Sequence, residues 1–432
     1  MDKDALDAMT ARAVAAYRKT VLLTSSQKRD FLDAFADKLK AARAEILSAN
    51  AEDLQHAREL GRPQRLLDRL AISENQFDRM LRRIRDVAAI ADIVGQTASS
   101  WVRPNRLDIR RIRVPVGVIC VCCESRPFVF PLTVAMCFKT NNVMVFATDT
   151  EGTRTVRAFE RVVKACEELP GFPKDAIQLL SEASHLEACR YLTSLDRSYD
   201  LAILRGSQDF VAEVSQYARI PVFKRCGRLC HVYVDCNHLE GTENKIVETD
   251  LTMAVQVTIA SRCYLPDSCT SASVVLVHRD IAPRFLEVFQ TAATQHGLHL
   301  KADARAKAFL PDATPAEPAD FTNPSLEKTE LAIGIVDSEE EAIERINTNG
   351  SALSDTIVTG SETAKQLFFS GVDSAVVYAN ASTCFTNGSE FGMGADIGIS
   401  TDKLDVRGPI GLEALTSLKF VVRGAGQTRG GG

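Results

Sequence analysis

The stretch that decides the fold runs from Asp108 to Cys123 and reads DIRRIRVPVGVICVCC. In its first half, isoleucine and valine alternate partly with arginine, which is typical of an extended segment. In its second half, small and β-branched apolar residues follow one another almost without a polar position, which is typical of a buried strand. The stretch therefore predicts an extended arm followed by a buried strand.

The sequence before this stretch has helical periodicity. Between Phe31 and Ala42, apolar residues recur every three to four positions between charged ones, which predicts a helix. Asn50 is expected to cap a further helix over residues 51–60, because Gly61 follows as a stop signal. The first hundred residues are therefore predicted to be helical.

After the stretch, short apolar runs alternate with longer helical patterns such as residues 154–169 and 281–295. This alternation predicts an α/β protein with mainly parallel sheets. Residues 310–324 are rich in Pro, Ala and Asp without periodicity, which predicts a surface loop or lid. The expected strands are residues 143–146, 201–204, 230–234, 274–277, 333–336, 356–358 and 375–378.

Composition narrows the class of protein. The chain has 432 residues, 45% hydrophobic and 25% charged, which predicts a globular enzyme of two or three domains. The net charge of −5, from 51 basic and 56 acidic residues without a long basic run, argues against nucleic-acid binding. No secretory signal and no apolar stretch of membrane-spanning length is evident. The 12 cysteines mostly lie in apolar runs, which favours a reducing cytoplasm over a disulfide scaffold.

Neither common nucleotide-binding fingerprint, GxGxxG or the P-loop, occurs in the sequence. The nearest candidate is Arg205-Gly206 at the end of the strand LAIL, where a helix could begin with free N–H groups directed at a phosphate. An ordinary turn from strand to helix is the alternative explanation.

A zinc site is a second candidate, because Cys226, Cys230, His231, Cys236 and His238 lie close together in the sequence. Residues 230–234 are expected to form a strand, whose successive side chains point to opposite faces. Cys230 and His231 would then point apart, so the sequence predicts no metal site here.

Cys269 differs from most of the other cysteines, because it lies in the polar segment LPDSCTSAS just before an expected strand. A thiol in a polar loop at the edge of a strand can be exposed, and its thiolate can be stabilised by nearby N–H groups. Cys269 is therefore a candidate nucleophile, with an ordinary loop cysteine as the alternative.

Several segments together resemble the glutamate-5-semialdehyde dehydrogenase family, also called gamma-glutamyl phosphate reductases, of the aldehyde dehydrogenase superfamily. The most specific is VVYANASTCFTNGSEFGMGADIGISTDKLDVRGPIGLEALTSLKF, residues 376–420. The segments NAEDLQHARELG, RRIRVPVGVICVCCESRPFVF and ARIPVFKRCGRLCHVYVD follow the family's order and spacing. The resemblance covers nearly the whole chain.

The resemblance implies an aldehyde dehydrogenase-like α/β fold with three parts. A Rossmann-like cofactor domain is expected over residues 1–101 and 115–246, and a catalytic domain over 247–405. Residues 102–114 and 406–425 would form a β-arm for oligomerisation, and 426–432 a disordered tail. A homo-oligomer is expected, and a glutamate kinase is a candidate partner.

The resemblance also implies a chemistry: Cys269 attacks an acyl phosphate, phosphate leaves, and NADPH reduces the thioester to glutamate 5-semialdehyde for proline synthesis. NADP or NAD is the expected cofactor. The implied substrate-binding residues are Ser125, Arg126, Asn380, Ser382, Thr383, Gly392 and Gly394. The implied cofactor-binding residues are Asp149, Glu151, Arg205 and Gly206.

The sequence departs from the family pattern at several functional positions. Phe128 stands where the family has an asparagine that donates to the oxyanion, and residues 147–150 replace an Arg-Gly-Gly turn near the adenosine. In that turn, Asp149 disfavours the 2′-phosphate of NADP. The remaining departures are Ala260-Ser261-Arg262, Ser273, Leu326-Glu327, Cys384 and Asp405.

Two alternatives to the reductase follow from these departures. One is a cofactor-independent acyl transferase or hydrolase that uses the same cysteine. The other is a non-catalytic paralogue.

Overall fold

The computed structural model describes residues 2–181, 184–224, 227, 229–240, 245–322, 329–404 and 406–429. Cys226, Leu326-Glu327, Asp405 and the last three residues of the tail, all named above, lie outside the described residues. None of the helices in the described part of the chain is long and apolar enough to cross a membrane.

The elements follow one another as expected for an α/β chain. The helices are α1 Lys3–Thr20, α2 Ser25–Ala41, α3 Arg43–Glu59, α4 Gln64–Leu70, α5 Glu74–Ala89, α6 Val129–Lys139, α7 Thr153–Cys166, α8 His185–Ser194, α9 Gln208–Tyr217, α10 Leu251–Cys263, α11 Ala282–Gln295, α12 Pro318–Thr322, α13 Glu339–Asn349 and α14 Glu362–Gly371. The strands are β1 Thr97–Val102, β2 Asp108–Pro115, β3 Val118–Cys123, β4 Val143–Thr148, β5 Ile177–Ser181, β6 Leu201–Arg205, β7 Val222–Phe223, β8 Cys230–Val234, β9 His238–Glu240, β10 Lys245–Val247, β11 Ala272–His278, β12 His299–Ala302, β13 Thr314–Pro315, β14 Glu330–Val336, β15 Ser354–Val358, β16 Val376–Ala379, β17 Ile399–Ser400, β18 Gly408–Pro409 and β19 Thr416–Arg423.

The chain divides into two compact units. Unit 1 comprises residues 1–225, 392–398 and 410–432, and unit 2 comprises residues 226–391 and 399–409. The expected limit between a cofactor domain and a catalytic domain, after residue 246, stays a prediction.

Unit 1 is built on a parallel sheet with the strand order β5-β4-β3-β6-β7. Strand β3 lies in its centre, and all six of its residues are buried. Cys120 and Cys122 of this strand pack with apolar residues of α1, α8 and α9, as small hydrophobic side chains do. The chain passes from β3 through β4 to β5 and then returns to pair β6 with the other side of β3, so the sheet has a topological switch point between β3 and β6.

The arm predicted before β3 is present in unit 1. Strands β1, β2 and β19 form a separate antiparallel sheet in that order, with Thr416 opposite Pro115 and Arg423 opposite Asp108. Residues 426–429 of the expected tail follow it, and Gln427 there accepts a hydrogen bond from the Ala425 N–H.

The prediction that Asn50 begins a helix was wrong. Asn50 lies within α3 and is buried. Its side-chain amide donates to the Leu70 carbonyl at 2.8 Å, and its oxygen accepts from the Ile72 N–H at 2.9 Å. The side chain therefore holds the end of α4 against α3, a tertiary role that outweighs its local capping preference. The predicted stop at Gly61, which has φ of +65°, was confirmed.

Unit 2 is built on a parallel sheet with the order β13-β12-β14-β11-β8-β15-β16. Every predicted strand of this unit is present. Each is a short apolar run, which the sheet buries in all of them except the half-buried edge strand β16. The expectation of an irregular loop over residues 310–324 was wrong in part. Leu310 is fully buried, β13 pairs with β12, and α12 follows.

Candidate active site

Cys269 lies in the loop between α10 and β11, at the amino end of β11 in unit 2. Its side chain is half-buried beside a small apolar cluster of Cys230, Leu353 and Ile399. The Cys230 thiol donates to the Cys269 carbonyl oxygen at 3.2 Å. Strand β8, which carries Cys230, therefore fixes the backbone of the candidate nucleophile.

The loop is also held by its own polar side chains. The Thr270 N–H donates to the Ser268 hydroxyl at 3.2 Å, and the two hydroxyls lie 2.8 Å apart. The Ser268 N–H donates to the Leu265 carbonyl at 2.9 Å. The Cys269 N–H makes no hydrogen bond within the described part of the chain, so this backbone donor is available to a bound group.

Ser382 and Thr383, two predicted substrate-binding residues, lie against this loop. The Thr383 hydroxyl donates to the Thr270 carbonyl at 2.6 Å, and its N–H donates to the Ser261 hydroxyl at 3.3 Å. The Ser261 hydroxyl in turn donates to the Ser382 hydroxyl at 3.1 Å. Since Ser382 and Thr383 are both buried, these contacts position the loop of Cys269.

Arg262, one of the departures from the family pattern, is buried beneath the same loop. It donates to the Ser271 hydroxyl at 3.4 Å and to the Ala272 carbonyl at 3.2 Å. Burial lowers the pKa of its guanidinium. Arg262 therefore joins α10 to the start of β11.

Burial makes other thiols of this region poorer candidates for the nucleophile. Cys384 is buried, and its thiol donates to the Ser261 carbonyl at 3.3 Å. Burial raises the pKa of Cys384, of Cys263 and of Cys230, which disfavours their thiolate forms.

Asn380 is not brought to the Cys269 loop by its hydrogen bonds. Its side chain accepts from the Thr359 N–H and donates to the Thr359 carbonyl, both at 3.0 Å. Thr359 follows β15 at the carboxyl edge of the unit 2 sheet, whereas Cys269 precedes β11 at the amino edge.

The remaining predicted site residues lie in unit 1. Ser125, with φ of 50°, follows β3 and donates to the Asp149 carboxylate at 2.6 Å. The other Asp149 oxygen accepts from the Glu151 N–H at 3.2 Å. Burial raises the pKa of Asp149. Arg126 follows directly, and its carbonyl accepts the Val129 N–H at the start of α6.

The turn after β6 is occupied by other side chains. The Ser207 N–H donates to the Glu124 carboxylate at 2.7 Å, so a carboxylate already stabilises the N-terminus of α9. A side chain at Gly206 would meet the Phe210 ring at 2.5 Å and the Glu124 carboxylate at 2.9 Å. The Arg205 guanidinium lies beside Gly398.

Gly392 and Gly394 belong to the segment of unit 1 over residues 392–398. Both have positive φ, of +71° and +80°. A side chain at Gly394 would collide with Ile90 of the same unit. The glycine is therefore required by both its backbone conformation and its packing.

Two polar groups at the carboxyl edge of the unit 1 sheet were not predicted. Arg62 forms an ion pair with Glu151 at 2.5 Å. His185, at the start of α8, stacks on Phe210 with ring centroids 5.1 Å apart. Among the described residues, none forms a hydrogen bond with its buried Nε2 atom, and burial lowers the His185 pKa.

Phe128 is the N-cap residue of α6 and makes no side-chain capping bond. The absence of an oxyanion donor at this position stays a prediction.

The predicted opposition of Cys230 and His231 was confirmed: Cys230 contacts Cys269, whereas His231 contacts Asp355 at 2.9 Å. Cys236 and His238, from the same segment, nevertheless come together with Asp235. The donor atoms of these three residues lie within 4.8 Å of one another. Sequence reasoning missed this group because it weighed only Cys and His and left out the intervening aspartate.

Comparison with known proteins identifies the family. Residues 1–307 match the family model described as "Aldehyde dehydrogenase family". The fold is similar to that of the acetylating aldehyde dehydrogenase of Geobacillus thermoglucosidasius, with a TM-score of 0.67 at 16% identity over 99% of this chain and 98% of the other. The chain belongs to the aldehyde dehydrogenase family.

More similar proteins define its place in that family. The gamma-glutamyl phosphate reductase of Moorella thermoacetica is 38% identical over 97% of both chains, and that of Listeria monocytogenes is 36% identical over 94% of this chain and 95% of the relative. The crystal structure of the Thermotoga maritima gamma-glutamyl phosphate reductase has a TM-score of 0.90 at 32% identity, covering 98% of this chain and 99% of the other. The chain therefore lies in the gamma-glutamyl phosphate reductase branch.

Proposed function

We propose that this chain reduces gamma-glutamyl phosphate to glutamate 5-semialdehyde, a step of proline synthesis, through a thioester on Cys269. The observation that carries the proposal is the match to relatives of that name, at 38% identity over 97% of both chains. Such a match over the full length covers the fold, the loop of Cys269 and the segment 376–420 together.

The chemistry begins at the Cys269 sulfur. The thiolate attacks the γ-carbonyl carbon of the acyl phosphate, a C–S bond forms, and the C–O bond to phosphate breaks with its electron pair. The negative charge that develops on the carbonyl oxygen is stabilised by a hydrogen-bond donor. The Cys269 N–H, which makes no hydrogen bond to any of the described residues, is available for this role, and donors of this kind contribute about 3 to 4 kcal/mol each.

The loop around the nucleophile supports this role by its rigidity. Thr383 and Arg262 hold the residues that directly follow Cys269, from Thr270 to Ala272, through hydrogen bonds of 2.6 to 3.4 Å. A reacting group held in one position loses less entropy in the transition state. In this proposal Ser382 and Thr383 act by positioning the loop.

Membership of the family implies a nicotinamide cofactor. The donor set at the carboxyl edge of the unit 1 sheet fits such a nucleotide. The Glu151 carboxylate suits ribose hydroxyls, and the half-exposed Arg62 suits a 2′-phosphate. The buried Nε2 atom of His185 has no hydrogen-bond partner among the described residues. When bound, the reduced nicotinamide supplies the hydride that reduces the thioester.

The preference between NADP and NAD is part of the proposal. Asp149 weighs against NADP in the sequence, but its carboxylate is directed to the Ser125 hydroxyl. Arg62 provides a cation beside Glu151 at the same edge. We propose that NADP is accepted through Arg62.

A homo-oligomer in the cytoplasm completes the proposal. The arm sheet exposes large apolar side chains, with Trp101 at 41%, Val102 at 68% and Phe420 at 58% exposure, which favours a partner strand or face. The eleven cysteines that the structure describes are free thiols, which favours a reducing compartment. A glutamate kinase as a partner stays a hypothesis.

The reaction run in reverse tests the proposal. Glutamate 5-semialdehyde, NADP⁺ and inorganic phosphate are added to the purified protein, and NADPH formation is followed by absorbance. The expected result is nucleotide reduction that requires phosphate and is lost in Cys269→Ser. Absence of nucleotide reduction, together with hydrolysis of an activated gamma-glutamyl thioester, would instead support the acyl transferase or hydrolase; absence of both would support the non-catalytic paralogue.

A further inference from the structure

We propose that Asp235, Cys236 and His238 form a binding site for a divalent cation of the zinc class. The site lies in unit 2, in the turn between β8 and β9. It adds a metal to this chain beyond the nucleotide-dependent reductase chemistry proposed above.

The three donor atoms converge on one point. The His238 Nε2 atom lies 2.6 Å from an Asp235 oxygen and 3.8 Å from the Cys236 sulfur. Carboxylate oxygen, thiolate sulfur and imidazole nitrogen are the ligands that zinc uses, and zinc sites with three protein ligands leave a fourth position open to water or another ligand. A small outward movement of His238, whose side chain is 29% exposed, would admit the ion between them.

The arrangement differs from a nucleophilic triad. In a Cys-His-Asp triad, the thiol and the carboxylate contact different nitrogens of the imidazole, so that the ring can pass a proton between them. Here both groups face the same nitrogen, Nε2. A single ring atom cannot bridge them as a proton relay, whereas a cation at the centre can bind all three.

The turn that carries the ligands is held in place before any ion binds. The Thr249 N–H donates to the Asn237 side chain at 3.0 Å, and the Thr249 hydroxyl donates to the Cys236 carbonyl at 3.0 Å. Asp235 is anchored by the Thr359 hydroxyl at 2.7 Å and by the Tyr233 hydroxyl at 2.9 Å. Such supporting contacts orient ligands in metal sites.

The charge around the site calls for a cation. Asp235 is fully buried, and in the described part of the chain its ion-pair partner is His238 alone. A buried carboxylate without a cation is costly, and a divalent ion at this position would balance the charge of Asp235.

The site is separate from the nucleophile. Cys230, at the start of β8, contacts Cys269, whereas Asp235 follows the end of the same strand. Five residues of extended chain span about 16 Å at ~3.3 Å per residue. A metal here would therefore stabilise the turn between β8 and β9 and take no part at the Cys269 sulfur.

Cobalt and zinc titrations of the full-length protein, after treatment with a chelator, test the proposal. Co²⁺ bound to a thiolate gives a charge-transfer absorption, and calorimetry with Zn²⁺ gives the stoichiometry. We expect one site per chain, loss of the absorption in Cys236→Ser, and affinity lowered by at least about 10-fold in His238→Ala. Cys269→Ser, Cys263→Ser and His299→Ala are matched controls that should keep both the absorption and the affinity.

Three outcomes would overturn the proposal: no binding below about millimolar metal, an absorption that persists in Cys236→Ser, or one that is lost in Cys269→Ser. Should Cys236→Ser fail to fold, X-ray absorption spectroscopy identifies the zinc ligands instead. It is measured on the zinc complex of the folded Cys269→Ser protein, which lacks the competing thiol of Cys269. One sulfur with nitrogen or oxygen ligands supports the site, whereas no sulfur or several sulfurs contradicts it.

Discussion

At the scale of single residues, Arg62 and Glu151 form the ion pair on which, in our proposal, the choice between NADP and NAD depends. Removal of the guanidinium in Arg62→Ala should weaken NADPH binding by about 10-fold or more, because a charge-assisted contact to the 2′-phosphate would be lost. NADH binding should change little. Fluorescence titration of both nucleotides gives the two dissociation constants, and equal losses for both would show that Arg62 does not contact the 2′-phosphate.

Arg58 is a suitable control for that measurement. It lies in the last turn of α3, the helix that ends just before Arg62, so Arg58→Ala removes an equal charge nearby. The Arg58→Ala substitution should not change the ratio of the dissociation constants of NADPH and NADH.

His185 should make the protein sensitive to acid. Burial lowers its pKa in the folded state, so below about pH 6.5 the unfolded chain takes up a proton that the folded chain does not. The free energy of unfolding should therefore fall as the pH falls from about 7 to 5. In His185→Gln this dependence should be weaker.

Urea denaturation of both proteins between pH 5 and pH 8 measures the effect. Asp149, whose pKa burial raises, titrates in both proteins, so much of its contribution cancels in the difference. The exposed His299 serves as the control, and His299→Gln should follow the wild type. A pH dependence that is the same in His185→Gln and wild type would refute the assignment.

At the scale of elements, the Cys269 loop depends on a contact made from 113 residues further along the chain. In Thr383→Val the hydroxyl that donates to the Thr270 carbonyl is lost. We expect the free energy of unfolding to fall by about 1 to 2 kcal/mol and kcat to fall by about 10-fold, because the nucleophile is held less firmly. Denaturation and steady-state kinetics measure the two effects.

Thr314→Val provides the comparison for this variant. Thr314 is exposed, and its hydroxyl donates to the Leu300 carbonyl at 3.3 Å in the same unit, so its loss should change both quantities little. A Thr383→Val protein with normal kcat would show that Thr383 supports the fold and not the catalytic loop.

The elements themselves could be predicted from the sequence to a large extent. Strands such as β3, β8 and β11 are short apolar runs that a parallel sheet buries on both faces, so their pattern is local. The capping role of Asn50 was predicted incorrectly, and the loop over residues 310–324 was predicted incorrectly in part. Tertiary packing decides both. Asn50 bonds to Leu70 and Ile72, and β13 of the segment pairs with β12.

The candidate site was predictable only where its signal is local. Cys269 stands out because a polar segment surrounds it. The group of Asp235, Cys236 and His238 does not stand out in the sequence, because Thr359, which anchors Asp235, lies 124 residues away. The hydrogen bond between Ser125 and Asp149 also joins the loops that follow two different strands, and neither segment alone indicates it.

At the scale of the whole molecule, the arm should hold the subunits of an oligomer together. The rings of Trp101 and Phe420 contact each other on one face of the arm, with centroids 6.2 Å apart, and are exposed. Phe420→Glu should therefore reduce the mass measured by light scattering at micromolar concentration. A wild-type protein that is already a monomer would contradict the proposed interface.

Lys419 gives the control on the opposite face of the same strand, because neighbouring residues of a strand alternate. Lys419→Glu also introduces a negative charge in β19. The oligomer should persist in this variant, so that loss in both variants would indicate a general effect of charge.

The central claim is that the reductase works through an acyl group on the sulfur of Cys269. Incubation with glutamate 5-semialdehyde and NADP⁺, with phosphate withheld, should halt the reverse reaction at the thioester, since its acceptor is missing. Mass spectrometry of the digested protein then locates the added gamma-glutamyl mass. We predict that it lies on the peptide that contains Cys269 and disappears on addition of phosphate; an acyl group on Cys263 or Cys384, or no acyl group in a protein that still reduces NADP⁺, would contradict the claim.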